Sequence, residues 1–471
     1  MFAWSTPGIH LARCRKHYEF ASNQFDSTRR LRPCFHDNCF LCLSFHEDEN
    51  ENENETRNRL STPSKDLQIL LEPMIAYFES MIDPHSGRFF LFSYPQSPSC
   101  SDSSQAIAEL RSHCHCPLRD IGSAWDAFKA IKARKCYYGK TTDGLVSASG
   151  YRLEDAILQT TGYYSSSLVT IDSDRNAMHL SQEVLKEPPN ISHNALLLLA
   201  LIGSEELNLF DAGEERSNLT DGLASGILSL QRPDGAFATQ FCPPNDDVWS
   251  GIEFFPGQAM TALMAVYLHS SSSSRTRPGL VKEKTMQQIL PAMIRAFGFY
   301  RVYYEEGKRQ NTIDANFSIW QIQAFCRLLL GLRHQGRPAS DSLASEVTEY
   351  CLALCEDILQ SPAWKLLSRG KSFYPNLSTI EIACGLDALC QGYNVLLDQE
   401  NSPMDDTLAS SFRIKIERAL DFLKWSQDQI PPDVLVGYGG LGHGGYYIRE
   451  QRLDVTGHAI GAVANLVVPN E

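Results

Sequence analysis

Four side chains in this chain are of a type that could share acid–base work: Glu253, Asp314, Asp454 and His458. Glycoside hydrolysis needs two carboxyl groups about 5 to 9.5 Å apart. One of them must be held protonated by a raised pKa, and a neighbouring imidazole can carry the proton. Each also has a plain structural role open to it. Asp314 stands before an apolar helical stretch and can act as its N-cap. His458, inside a helix, can be a satisfied core histidine. The group says more than its members, because each sits where a buried helix is expected to begin. His193, Asn194, Gln258, Asn316 and Glu381 occupy positions of the same kind, with Trp249, Trp320, Tyr374 and Tyr446 on or near the same loops. Carboxylates and amides bind hydroxyl groups, and flat aromatic faces stack on pyranose rings. His193, Asn194, Trp249, Gln258, Asn316, Glu381 and Tyr446 are therefore the expected substrate-binding set.

Other chemistries find less support. Cys34, His36, Cys39, Cys42 and His46 include one Cys-x-x-Cys pair of zinc-binding pitch, but no second half follows. Cys114-His115-Cys116 is spaced too tightly for a tetrahedral site. No metal or cofactor is expected. There is no phosphate-binding Gly-x-x-x-x-Gly-Lys-Ser/Thr loop and no Gly-x-Ser-x-Gly elbow. Asn245-Asp246-Asp247 lacks the first acid of the Asp-x-Asp-Asp motif that a terpenoid cyclase would use.

The elements that must position the candidate residues are helices. From residue 63 onward apolar residues recur at three- and four-residue steps, and strand-like alternation is scarce. Six segments open on polar or turn-forming residues and then become apolar around most of their circumference: 120–131, 192–202, 256–267, 315–329, 378–389 and 456–467. A helix apolar on all sides must be buried on all sides. Between them lie helices with one apolar stripe and one charged face: 66–82, 151–160, 213–231, 282–304, 340–360 and 405–427. Alternation at this long period marks stacked hairpins. The expected fold is all-α, an (α/α)6 toroid of six helical hairpins over residues 63–471. An open helical solenoid would show a similar alternation. In the toroid the inner helices run one way, and their N-termini gather the candidate residues around a single cup.

Residues 1–62 read differently. A basic beginning is followed by the acidic, asparagine-rich EDENENENE, which cannot bury a core. This is a disordered or targeting leader, with 1–46 read as an organelle transit segment. The 471 residues carry a net charge of −14 and show no basic stripe, which argues against a nucleic-acid partner. No apolar run reaches the roughly 20 residues of a membrane span. Fourteen scattered cysteines suit a reducing, intracellular compartment, cytoplasmic or organellar.

Three phrases carry a family resemblance: Leu230-Gln231-Arg232-Pro233-Asp234-Gly235-Ala236-Phe237, Phe255-Pro256-Gly257-Gln258-Ala259, and Gly444-Gly445-Tyr446 leading to Asp454 and His458-Ala459. Together they resemble the six-hairpin glycosidase-like toroid superfamily, in its bacterial and algal branches, over roughly residues 66–471. The resemblance implies the toroid and a carbohydrate ligand more than any one reaction. In those relatives the Pro-Gly-Gln-Ala phrase usually has Glu where this chain has Gln258, so one carboxylate is missing here. The expected function is a carbohydrate-active protein, glycoside hydrolase-like, with a sugar lyase or epimerase using the same cup. The alternatives are a non-catalytic glycan- or protein-binding toroid and a terpenoid-cyclase-like toroid.

Overall fold

Helices apolar on every side can be accommodated only by surrounding them, and the architecture follows from that demand. The structure, a computed structural model, describes residues 65–93, 111–112, 116–138, 151–209, 214–241, 250–272, 280–337, 341–397, 406–429, 441 and 451–467. The expected leader, Trp249, Tyr446 and the N-terminal Cys/His run lie outside the described residues. The helices are α1 (Lys65–Ser80), α2 (Pro117–Tyr138), α3 (Leu153–Ser165), α4 (Gln182–Leu185), α5 (Ile191–Glu206), α6 (Glu214–Ser229) and α7 (Phe255–Ser272). They continue with α8 (Glu283–Gln310), α9 (Ala315–His334), α10 (Ser342–Gln360), α11 (Pro362–Leu367), α12 (Thr379–Leu397), α13 (Asp406–Asp428) and α14 (Leu453–Val467). The described part is all-α in class, with a few short strands.

Two sets separate by burial and by partners. In α5 every residue from Ile191 to Glu205 is buried. Helices α2, α5, α7, α9, α12 and α14 pack on one another in that order, and α14 packs on α2. Each outer helix rests on inner ones: α1 on α2 and α14, α3 on α2 and α5, α6 on α5 and α7, α8 on α7 and α9, α10 on α9 and α12, and α13 on α12. The outer helices have a single buried stripe. In α8 it runs through Ile289, Met293, Ala296, Phe297, Tyr300 and Tyr304, at helical spacing.

Side-chain pairs fix the direction of the inner helices. Near their N-termini, Arg119 on α2 meets Asp454 on α14 at 3.5 Å. Near their C-termini, Lys132 on α2 meets Glu206 on α5 at 3.1 Å, and His269 on α7 meets Glu205 and Glu206 at 3.7 Å each. First turns meet first turns and C-terminal halves meet C-terminal halves, so α14, α2, α5 and α7 run parallel. Each N-terminus is satisfied locally where its cap is described. Asn190 accepts from the amides of Ser192 and His193, and Asp314 accepts from the amide of Asn316.

Small residues let the inner set approach closely. A Cβ on Gly457 of α14 would stand 2.1 Å from Asp126 Oδ2, and one on Gly461 would stand 2.7 Å from both Asp387 Oδ1 and Lys129 Nζ. Alanine should favour the helix, yet here it must push a buried carboxylate off its lysine. Gly457→Ala is expected to lower stability by about 1–3 kcal/mol, read as a lower urea midpoint.

The segment after α3 departs from the all-helical expectation. Strands β3 (Leu168–Asp172) and β4 (Ala177–Leu180) form an antiparallel hairpin with Leu168 opposite Leu180. Its inner face packs on α6, while Val169 and Ile171 stay exposed. Strands β1 (Phe92–Ser93), β2 (Arg111–Ser112) and β5 (Gln451–Arg452) make a second small sheet in the order β2-β1-β5, both pairings antiparallel. That sheet joins the first hairpin to the last. The Leu453 amide donates to the Leu91 carbonyl at 3.0 Å, and Gln427 Nε2 donates to the Leu70 carbonyl at 3.2 Å. The Pro233-Asp234-Gly235 phrase forms a turn. Gly235 has φ +97°, and the Arg232 amide donates to the Ala236 carbonyl at 2.8 Å.

Candidate functional site

The candidate residues fall into three groups. The first is structural. His193 is fully buried; its Nδ1 accepts from the Asn190 amide at 3.1 Å, so Nε2 carries the proton and donates to Glu187 at 2.9 Å. Asn194 is equally saturated. Its Oδ1 accepts from the Leu180 amide, and its Nδ2 donates to the carbonyls of Met178 and Leu223. Asn194 ties β4 to the inner set, His193 ties down the turn from Glu187 to Asn190, and neither has anything left to offer a ligand.

The second group stands at or beside the N-termini of inner helices. Asp314, exposed, caps α9 through a 2.7 Å bond to the Asn316 amide. Glu381, in the first turn of α12, reaches solvent among enough protein that desolvation raises its pKa, and the charge of Asp314 raises it further. The Glu381 carboxyl is thus pushed toward its acid form beside a second carboxyl group on the adjacent inner helix. Asn316 is half-buried beside Asp314. On the α7 side, Glu253 Oε2 and Gln258 Oε1 are buried without a hydrogen-bond partner. Burial and the charge of Glu253 both raise the pKa of Tyr303. The backbone at Gly257 lies against Trp320, where an added Cβ would stand 2.5 Å from the tryptophan Cβ.

The third group lies one to three turns deeper and was largely missed from sequence. Trp320 on α9 and His458 on α14 meet edge to face across the helix between them, ring centroids 6.1 Å apart. His458 Nδ1 is 3.2 Å from Asp387 Oδ2 on α12. Asp387 also accepts from Asn465 Nδ2 at 2.9 Å and lies 3.5 Å from Lys129 Nζ on α2. Lys129 in turn pairs with Asp126 at 2.8 Å. Lower on α9, Arg327 donates to Gln391 Oε1 of α12 at 3.0 Å. Burial would raise the Asp387 pKa, but Lys129, His458 and Arg327 outweigh it and hold the carboxylate below its usual range. Burial would lower the pKa of His458, yet Cys384 and Asp387 carry it well above the ordinary histidine value. Lys129 is likewise raised by Asp126 and Asp387 against its desolvation.

Asp454 belongs to a different arrangement from the one its sequence position suggested. Its Oδ1 accepts from Arg452 Nε at 2.9 Å, and Arg119 adds a second guanidinium. Burial would raise its pKa, but Arg452 and Arg119 hold the carboxyl well below the usual range. It is fixed as an anion and suited to binding or support, not to proton donation.

A signal for the deeper group was present. Glu381, Cys384, Asp387 and Gln391 follow one another at three- and four-residue steps, a polar stripe on an otherwise apolar helix. Asp126 and Lys129 repeat the pattern on α2. Among the described residues no group of three or more His, Cys, Asp or Glu side chains is placed to hold a metal ion. Two cavities lie apart from this axis. One of about 540 Å³ is bounded by Ile171, Asp172, Leu230 and Phe241 beside the hairpin. The other, of about 230 Å³, sits near the start of α2. There Tyr164 donates to Asp120 at 2.8 Å and Arg88 pairs with the same carboxylate at 3.1 Å.

Comparison with known protein families and with curated proteins gives no match for this chain. No helix among the described residues is long and apolar enough to cross a membrane.

Proposed function

We propose that the six hairpins close as an (α/α)6 toroid of the six-hairpin glycosidase-like kind, and that the mouth at the inner-helix N-termini binds a carbohydrate and hydrolyses it. One observation carries the reading: Asp314 and Glu381 stand at the starts of neighbouring inner helices, where burial first and the charge of Asp314 second raise the Glu381 carboxyl toward its protonated form. Glu381 is the proton donor to the leaving oxygen, and Asp314 is the carboxylate that activates water or attacks. Trp320 supplies a stacking face, and the unpartnered oxygens of Glu253 and Gln258 accept sugar hydroxyls. The dipoles of the convergent helices favour the developing negative charge of a leaving group. The charged axis of Asp126, Lys129, Asp387 and Arg327 disfavours the terpenoid-cyclase reading, which needs an apolar cavity. Gln258 supports a second reading, a glycan-binding toroid without turnover, since it stands where the resembled relatives carry Glu. An intracellular site of action, cytoplasmic or organellar, belongs to this proposal and rests on the cysteine distribution.

A panel of aryl glycosides and oligosaccharides tests the assignment. Turnover of one of them should fall on the order of 10²–10⁴-fold in Glu381→Gln with binding retained. Asp314→Asn should be comparably impaired. Binding without turnover in the unaltered protein would establish the second reading, and neither binding nor turnover would sink both.

A further inference from the structure

A basic face stands on this acidic chain where α11 packs on α13. The net charge is −14, yet Lys365, Arg369 and Lys371 stand in or just after α11, and Arg413, Lys415 and Arg418 stand on α13. Two carboxylates of α13 answer part of this charge. Glu417 meets Arg413 at 3.0 Å, and Asp421 meets Lys371 at 3.8 Å. Lys365, Arg369, Lys415 and Arg418 have no carboxylate partner among the described residues. Ser368 draws two of them together from the neighbouring helix. The Lys415 ammonium donates to Ser368 Oγ, and Arg418 Nη1 donates to the Ser368 carbonyl at 3.2 Å. Ser368 is itself fixed, its hydroxyl donating to the Trp364 carbonyl at 2.9 Å. Two like charges three residues apart on one helix repel. Burial, and then the charge of Arg418, lowers the Lys415 pKa accordingly. Next to Ser368, the Arg369 guanidinium lies 5.7 Å from the centre of the Phe373 ring. Apolar surface adjoins the cations: Ile414, one turn before Arg418, is 48 % exposed, and Phe373 is half-buried.

We propose that this face of α11 and α13 docks a short acidic segment of a partner protein, with its carboxylates on Arg369, Lys415 and Arg418 and an apolar side chain on Ile414. One exposed ion pair is worth about 0.2–1 kcal/mol, so a lone small anion gains little here and several carboxylates on one segment gain together. The forked guanidinium of Arg418 can take a carboxylate with two hydrogen bonds, and a bound anion relieves its repulsion with Lys415. The negative charge of the rest of the chain repels a long polyanion such as nucleic acid beyond the patch. The inference is independent of the carbohydrate assignment, since no residue of α11 or α13 takes part in it.

Fluorescence anisotropy with a fluorescein-labelled Glu-Asp-Glu-Leu-Glu-Asp-Glu peptide tests it on the full chain. The peptide should bind at low salt and weaken as salt rises. Lys415→Glu with Arg418→Glu should weaken binding about tenfold or more, since attraction is replaced by repulsion at two contacts. Arg418→Gln, a milder change at an exposed position, should weaken it about threefold and guards against a folding defect in the double variant. Lys284→Glu, the same charge reversal at an exposed position of α8, should leave it unchanged. No binding by the unaltered protein, binding indifferent to the α13 variants, or an equal loss in Lys284→Glu would overturn the proposal. So would tighter binding of polyuridylate or of inorganic phosphate, which would give the face to a nucleic acid or to a small anion.

Discussion

Asp387→Ala should cost about 3–5 kcal/mol of folding stability, read as a fall in the urea midpoint at unchanged slope. The carboxylate accepts from Asn465 at 2.9 Å and from His458 at 3.2 Å, and it faces Lys129 at 3.5 Å. It is 3 % exposed, so water cannot replace it. Its removal strands the charge of Lys129, which then has Asp126 alone, and frees the imidazole of His458 and the amide of Asn465 together. Buried charges gain little as a pair but are expensive when orphaned. The triple variant Asp126→Leu, Lys129→Met and Asp387→Leu, which leaves none of the three charges behind, should therefore recover part of the loss. A triple variant no better than Asp387→Ala alone would show that the carboxylate acts through packing and not through charge.

His269→Gln should remove one of the two histidine contributions to the protein's alkaline sensitivity. Hydrogen bonding to Glu205 and then to Glu206 raises its pKa from 6.5 to about 9, against the opposing effect of burial. A histidine whose pKa rises on folding stabilises the native state fully below its unfolded pKa, and that contribution is lost as pH climbs through the folded value. The window here runs from about pH 6.5 to about pH 9. The contribution is up to about 3 kcal/mol, at roughly 1.4 kcal/mol per tenfold change in proton affinity. His458 acts in the same sense. On the acid side the order reverses. Asp387, Asp454 and Glu206 are all lowered by cationic neighbours, so their contributions hold above the ordinary carboxylate range and fade as pH falls. Urea unfolding at pH 6 and pH 9.5 should show the variant well below the unaltered protein at the first pH and close to it at the second. An equal gap at both would mean that His269 contributes by shape alone.

The helices were legible because their burial is extreme. LLLLALI in α5 has no polar face, and the alternation of such segments with striped helices is visible without coordinates. The β3–β4 hairpin was hidden for a physical reason: it exposes Val169 and Ile171, so its pattern does not separate an inner from an outer face. Its trace was the break in helical period after Tyr164. The reading of Asp314 as a helix N-cap holds. His193 and Asn194 looked like binding residues because they are polar at a helix start, but hydrogen bonds across sequence separations of 6 to 29 residues consume them, and spacing alone does not show such bonds. The ion network of Asp126, Lys129 and Asp387 was unread because isolated polar residues inside apolar helices look like noise. Only the packing of α2, α12 and α14 brings them together.

The strand layer that joins β1 to β5 has a consequence for how the polypeptide can be divided. It sets residues near 92 beside residues near 452, and α1 touches both α13 and α14. Each inner helix is thus gripped from two sides, and the backbone link to the next hairpin is one tether among several. A break between α9 and α10 should leave two fragments with complementary seams at α9–α12 and at α14–α2. Co-expressed as separate pieces, they should reassemble, because the contacts that hold them are indifferent to the order of translation.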